Sequence, residues 1–371
     1  MLTTGKYPVV DQGKSFIAGW TNDESAVLAD SLPVVVFGDH TRAVKYVDFA
    51  FARGADGTQL LRPNADIDPR FFYFACTATE LPARGYNRHF GLLKARHIPL
   101  PPLEEQMAMS NCLRTLEVLG QRIDAQVEVC SALAEIARVL LFSAGLRGEP
   151  QQETEIGFVP GSWEVRRLGD VAKIVSGGTP SRAIASYWTN ATIPWVKTTE
   201  VRYATITETE EWISTEALES SAAKLLPIGT LLLAMYGQGV TRGKVALLGI
   251  EAACNQACAA VLPAGETLNQ RFLYHFLASQ YDTIRQLAHG GQQQNLNLEI
   301  VRDLRIPVPA NLDEQHEIVA ILDTLDRKID LHRRKRALLE ELFKSLLHQL
   351  MSGAIRVTDL DLSALPQPVA S

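Results

Sequence analysis

Basic residues are in deficit in this chain: 36 Lys and Arg stand against 42 Asp and Glu, a net charge of −6 over 371 residues. A surface that holds a polyanion everywhere is excluded by that balance. Any phosphate contact must come from local patches, or be shared with a more basic partner. Cysteine is scarce too. The five thiols are odd in number and scattered; only Cys254 and Cys258 stand close, with no second pair or His cluster to complete a zinc site. A disulfide scaffold is excluded, no metal is expected, and thiols in a reducing compartment are the expectation. No apolar run reaches the roughly 18–20 residues that span a bilayer. Met1–Lys6 carries no signal-peptide core, so a cytoplasmic location and no membrane contact are expected.

Catalytic motifs are missing as well. There is no Gly-rich cofactor loop joined to an Asn/Asp-Pro-Pro-aromatic motif, as methyl transfer needs, and no phosphate-binding loop for a motor. The glycines of Gly237–Gly243 have the wrong spacing for a dinucleotide fingerprint. The eight histidines (His40, His89, His97, His275, His289, His316, His332, His348) are dispersed, which gives no triad or metal set. A binding protein without a catalytic centre or cofactor of its own is expected.

What the chain does contain is one phrase written twice. Ile98-Pro99-Leu100-Pro101-Pro102-Leu103-Glu104-Glu105-Gln106 returns as Ile306-Pro307-Val308-Pro309-Ala310-Asn311-Leu312-Asp313-Glu314-Gln315. Each copy opens a proline-free, apolar-periodic stretch that ends near a glycine, Gly145 or Gly353. A period of this length is far beyond solenoid repeats of roughly 20–50 residues, so the unit is a globular domain plus a long helix. Leu116, Leu119, Ile123, Gln126, Cys130, Leu133, Ala137 and Leu140 mark the first helical stripe. Ile318, Leu322, Leu325, Ile329, His332, Arg336, Leu339, Phe343, Leu346 and Leu350 mark the second. Helices of roughly 60 Å need a partner for such stripes, and an antiparallel pairing of one with the other is expected. The alternative is that each packs on its own domain.

The expected layout is a mixed α/β (α+β) chain with an internal pseudo-two-fold repeat. It runs as domain 1–102, long helix 103–146, linker 147–162, domain 163–311, long helix 312–353 and extended tail 354–371. Strands are expected at 32–39, Val44–Phe51, Val171–Val175, Ile193–Lys197, Thr230–Met235 and Lys244–Leu248. Helices are expected at Asp68–Thr77, with Asp68 as cap and Pro69 first, and at Gln270–Gln286.

Base edges are read by Arg, Lys, Asn and Gln, and phosphates are held by basic and hydroxyl groups. Four stretches carry that chemistry at turns. In Tyr236–Lys244, Tyr236, Gln238, Thr241, Arg242 and Lys244 are the candidates; the alternative is a glycine-rich hairpin with a solvated Arg. In His289–Asn297 they are Gln292, Gln293, Gln294 and Asn295, or a polar loop capping the next segment. In Lys197–Tyr203 they are Lys197, Thr198 and Arg202, or a salt-bridged surface. In the first domain His40, Thr41, Arg42, Lys45, Asn87 and Arg88 fill comparable slots. On the helices, Leu116, Ile123, Leu133, Leu325, Ile329, His332, Arg336 and Leu339 are the candidate partner-binding positions. His332–Arg336 reads either as a solvated basic run balanced by Glu340 and Glu341 or as a patch facing a partner.

The chain resembles the specificity subunits of type I restriction–modification enzymes. The repeated Ile-Pro-x-Pro…Leu-Glu/Asp-Glu-Gln phrase carries the likeness, with Trp163–Val171 followed by Ser176–Ser181. Gly38–Arg42 with Gly54–Gly57 adds to it. The resemblance implies two target-recognition domains that each read half of a split sequence in double-stranded DNA. It implies helices that set the gap and dock two methyltransferase subunits, with restriction/translocase subunits joining. S-adenosylmethionine and ATP would then sit on those partners, in a bacterial or archaeal cytoplasm. One departure stands out. With Pro8 aligned to Pro194, seven residues precede Pro8, whereas Trp163 stands 31 before Pro194. The first domain is therefore expected to lack an opening segment, the chain being clipped, mis-started or naturally reduced there. The alternative function is a scaffold that assembles two partner subunits on its helices without touching DNA.

Overall fold

The computed structural model describes residues 1–30, 32–82, 87–237, 240–265, 267–287 and 295–361. It is a mixed α/β chain that divides into two compact units, Met1–Gln126 with His332–Ser371, and Val127–Leu331. Two long helices, Leu103–Ala144 and Leu312–Ser352, each contribute one end to each unit. Both are followed by a glycine with left-handed backbone, Gly145 at φ +63 and Gly353 at φ +73. Glycine takes that conformation without a Cβ penalty and so stops the helix.

The two units repeat one sheet plan. In the first, Tyr7–Val10 pairs antiparallel with Gly19–Thr21 and parallel with Phe51–Arg53. In the second, Ile193–Val196 pairs antiparallel with Glu211–Ile213 and parallel with Ala253–Cys254. The register also repeats: Pro8 lies opposite Trp20, and Pro194 opposite Trp212. Beside each small sheet stands a second one. Val34–Gly38 runs antiparallel between Val44–Val47 and Thr58–Leu61, and Leu231–Ala234 likewise between Val245–Leu248 and Cys258–Val261. These central strands are buried on both faces, so they read as unbroken apolar runs rather than alternating ones.

The second unit has strands without a counterpart among the described residues of the first. Ile174–Ser176 lies beside Cys258–Val261, and Glu164–Arg167 pairs with Arg305–Val308. The opening of the second copy of the repeated phrase, Ile306–Val308, is therefore part of a strand. The expected strand at Val171–Val175 is instead a helical turn, Leu168–Val171, and then Ile174–Ser176. Leu168 is fully buried, and Gly169 lets the turn close on Arg302; a Cβ there would lie 3.0 Å from the Arg302 Cβ. The expected strand Val44–Phe51 splits between two sheets, and the expected helix Gln270–Gln286 breaks at Gln280 into Gln270–Ser279 and Tyr281–Gln286. Residues 147–162, read as a linker, hold a hairpin of Gln151–Thr154 and Gly157–Pro160, anchored by buried Val159.

The repeated glutamine has the same task twice. Gln106 is buried; its Nε2 donates to Pro101 O at 2.8 Å and its Oε1 accepts the Asp68 N–H at 2.9 Å. Gln315 is buried; its Nε2 donates to Pro309 O at 3.2 Å and its Oε1 accepts the Asn269 N–H at 2.8 Å. Asp68 and Asn269 are the N-caps of Pro69–Ala78 and Gln270–Ser279. Each amide thus joins a domain helix to the start of a long helix. Gln315→Met, which keeps the volume but strands a buried N–H and carbonyl, should cost about 1–3 kcal/mol. Urea unfolding checks this, and a change below about 0.5 kcal/mol would refute the latch.

Next to the first latch the Tyr73 hydroxyl donates to Glu117 Oε1 at 3.2 Å. Burial pushes the Glu117 carboxyl above the usual range, against the opposing pull of Tyr73, Arg70 and Arg114. A raised carboxyl binds its proton more tightly folded than unfolded. Its stabilising share is complete below the unfolded pKa and is lost as pH rises through the folded one. Glu117→Gln should therefore raise the thermal midpoint at pH 7.5 relative to wild type, with a smaller gain at pH 4.5. Melting curves at the two pH values test the sign.

Candidate nucleic-acid interface

In each unit the hairpin turn that leaves the central strand meets a segment from far along the chain. In the first unit, the buried Asp39 carboxylate accepts the His89 and Phe90 N–H groups, both at 2.7 Å, and the His89 N–H also reaches Asp39 O at 2.9 Å. The candidates His40–Arg42 and Asn87–Arg88 are thereby gathered at one place, with the Arg88 Nε 3.9 Å from Asp39. In the second unit the matching bond runs from the Leu296 N–H to Met235 O at 3.1 Å, which sets Asn295 beside the turn after Leu231–Ala234. Gln238, Gln292, Gln293 and Gln294 lie outside the described residues.

Several candidates prove to be structural. Lys45 is 5% exposed, and its ammonium donates to Asp11 O at 2.8 Å and Ser15 O at 2.6 Å. Burial pushes its pKa down, with Asp11 opposing. Lys45 ties down the segment 11–16 and does not offer its charge to a phosphate, which corrects the sequence expectation. The Thr41 hydroxyl donates to Gln12 O, and the Arg42 Nη1 donates to Leu81 O at 2.8 Å with Arg42 in left-handed backbone at φ +63. Thr198 is buried and its hydroxyl donates to Asn255 Oδ1 at 2.8 Å. Lys197 bridges Glu210 at 2.6 Å and Glu211 at 3.3 Å, the salt-bridged alternative. The Glu210 hydrogen bond is the main cause that raises its pKa. Arg202 is exposed, its Nε bonded to Thr199 O at 2.6 Å.

The remaining polar groups of the second unit converge. The Tyr203 N–H donates to Val245 O at 2.9 Å, which brings the 197–203 stretch against Lys244, whose Nζ stands 5.7 Å over the Tyr203 ring. Tyr236 is exposed, and Thr241 and Arg242 are half-buried at the same turn. Tyr281 and Arg285, which the sequence expectation did not single out, hold this turn: the Tyr281 hydroxyl donates to Val240 O at 2.7 Å, and the Arg285 Nη1 to Arg242 O at 3.2 Å. The sequence signal that would have found them is the helix break at Gln280, hidden in an otherwise helical stretch.

The helix positions sort differently from the expectation. Within the second unit Cys130, Ala134 and Ile329 pack together with Val127 and Leu325, an antiparallel match of the two helices. Ala134 is fully buried, whereas Leu133 is 51% exposed. The inward seam of the first helix therefore steps through Leu116, Ile123, Cys130, Ala134 and Leu141, and Leu133 with Leu140 faces outward. Leu116 and Ile329 are buried inside the chain, so they cannot contact another subunit, a correction to their expected role. Val129, Leu133, Ile136 and Leu140 form an exposed apolar row at helical spacing. In the first unit Arg336 crosses to Asp124, both carboxylate oxygens lying 3.0 Å from its Nε. Gly120 makes room: a Cβ there would stand 3.6 Å from the Arg336 guanidinium. His332, Leu325 and Leu339 are half-buried.

Lys45→Met should lower stability by about 1–3 kcal/mol, since the Asp11 and Ser15 carbonyls lose a charged donor. It should leave the salt dependence of DNA binding unchanged. A shallower salt slope with unaltered stability would restore Lys45 to the contact set.

A family model described as the type I restriction modification DNA specificity domain matches residues 160–341. The chain is 27% identical over 335 residues to the specificity subunit of type I restriction enzyme EcoR124I/EcoR124II from Escherichia coli, covering 86% of this chain and 79% of that one. It is 26% identical over 273 residues to the MjaVIII specificity subunit of Methanocaldococcus jannaschii, covering 71% and 63%. Among solved structures, the S subunit of a type I restriction–modification system from M. genitalium superposes with a TM-score of 0.63 at 17% identity, covering 94% of this chain and 89% of that one. A chain from a study of complex assembly and conformational transition in the type I system gives 0.55 at 17% identity, covering 94% and 92%. At these identities the superpositions establish the fold.

Proposed function

We propose that this chain is a specificity subunit of a type I restriction–modification enzyme, its non-catalytic, sequence-reading part. Its two domains each read one half of a bipartite site in double-stranded DNA. The observation that carries this reading is the duplicated plan: in each unit a small sheet of the same register stands beside a second sheet whose central strand leads into a turn bearing polar and basic side chains. The second domain reads through Arg202, Tyr236, Gln238, Thr241, Arg242, Lys244 and the amides 292–295. The first reads through His40, Asn87 and Arg88.

The exposed row Val129, Leu133, Ile136 and Leu140 is the docking surface for a methyltransferase subunit. Leu338 and Leu342, exposed at the other unit's helix surface, serve a second. S-adenosylmethionine and ATP are bound by the methyltransferase and the restriction/translocase subunits, not by this chain. Its place of work is the cytoplasm, where those partners and the DNA are.

The test is binding and methylation by the full chain assembled with methyltransferase subunits. Wild type should prefer a bipartite site, with affinity falling as salt rises. Arg242→Ala should cost about 1–3 kcal/mol per lost base contact at one half-site and leave the other unchanged. Absence of any salt-dependent slope would favour the scaffold reading. Equal loss at both half-sites would show that Arg242 is not a reader.

A further inference from the structure

We infer that Tyr281 and Arg285 are positioning residues that set the sequence selectivity of the second domain by fixing the shape of its reading turn, without touching DNA themselves. The inference rests on the reading function proposed above. The turn joins strands Leu231–Ala234 and Val245–Leu248. It is much longer than the common hairpin loops of 2–5 residues, and a loop of that length does not hold one shape by backbone geometry alone.

The descending limb of this turn is fastened from the short helix Tyr281–Gln286. The Tyr281 hydroxyl donates to Val240 O at 2.7 Å, and the Arg285 Nη1 donates to Arg242 O at 3.2 Å. The same Nη1 also donates to the Tyr281 oxygen at 2.9 Å. A guanidinium only donates, so it occupies the acceptor side of the phenol and leaves the single phenolic proton for Val240. Gly243 lies against both residues: its φ is +88, and a Cβ would stand 3.1 Å from Arg285 Cγ and 3.5 Å from Tyr281. The Tyr281 ring meets Tyr203 edge-on, with centroids 6.0 Å apart and an interplanar angle of 76°. Tyr203 in turn bonds Val245 and underlies Lys244. Thr241, Arg242 and Lys244 therefore each sit beside a backbone or ring atom that this brace holds.

The first domain is built otherwise. Its turn between Val34–Gly38 and Val44–Val47 is short, and there the Arg42 side chain itself reaches out to Leu81 O. Losing the Tyr281–Arg285 brace should therefore affect one half-site alone. The charges of Arg242 and Lys244 remain, so phosphate attraction persists while the base contacts lose their preorganised geometry.

The experiment uses the full chain with its methyltransferase subunits and a library of duplexes mismatched singly across both half-sites. Tyr281→Phe and Arg285→Met should each reduce discrimination at one half-site by about tenfold. The salt slope, the other half-site and the thermal midpoint should stay as in wild type. Arg285→Lys, which keeps a donor, should recover part of the discrimination lost in Arg285→Met. Unchanged discrimination in both variants, or equal loss at both half-sites with a lowered midpoint, overturns the inference. A wild-type assembly with no bipartite preference overturns the function beneath it instead.

Discussion

A buried primary amide joins each recognition domain to its long helix. An amide side chain in a dry site must find both a donor and an acceptor, and Gln106 and Gln315 find them in the same pair of places. On one side lies the carbonyl of a proline in the repeated phrase, Pro101 or Pro309. On the other lies the N–H of a helix-capping residue, Asp68 or Asn269. The cap's side chain meanwhile satisfies the first turn of its own helix: Asp68 accepts from Phe71 N, and Asn269 from Arg271 N and Phe272 N. Prolines in the phrase hold the approaching chain extended and remove competing N–H donors. The phrase is written twice because the same junction is built twice.

The junctions differ in how they are reinforced. In the first unit, Ser110 donates to Asp68 at 2.6 Å, and Tyr73 meets a carboxyl whose pKa burial has raised. In the second, the joint is ionic. Arg271 and His275 both converge on Asp323 Oδ1, at 2.6–2.9 Å and 2.7 Å. Burial alone would raise the Asp323 pKa, but these two partners outweigh it and hold it below the usual carboxylate value. The two copies thus reinforce one kind of junction by different means, a protonation-favouring carboxyl in the first and an ion-paired one in the second, at helix positions that do not align.

Much of this plan was legible in the chain. The starts of the two long helices at Leu103 and Leu312, the Asp68 cap and the alignment of Pro8 with Pro194 follow from local chemistry, and the shared Pro–Trp register matches that alignment. The phase of the first long helix was not legible. Size and hydrophobicity argue for Leu133 and Leu140 in the seam, but the seam takes Ala134 and Leu141. At 134 a small residue allows close helix approach while Leu133 is left for the surface, and at 141 one leucine is buried in place of its neighbour, choices that depend on what the helix packs against and on nothing local. The same holds for Lys45 and Thr198. Each looks like a contact residue in its own turn, yet their acceptors, Ser15 and Asn255, lie far away in sequence.

What remains at the turns after those removals narrows the candidate reading surface beyond what composition allowed. In the second unit, Glu314 shows why the surface can be both exposed and fixed. Its carboxylate is buried, taking the Leu146 N–H at 2.9 Å on one oxygen and the Trp163 indole N–H at 3.2 Å on the other. One side chain from the repeated phrase thereby links the end of the first long helix, the opening Trp163 and the start of the second long helix. Trp163 packs edge-on to Phe272 at 5.9 Å, and Phe272 meets Phe142 at 5.3 Å, so the tie continues into the core that carries Leu231 and Leu233. Those residues lie on the strand from which the 235–244 turn springs. A charge that would be costly to bury unpaired is satisfied only when domain and both helix ends are in register. The turn's base is therefore set by the core, and the short helix beside it holds the returning limb at Val240 and Arg242.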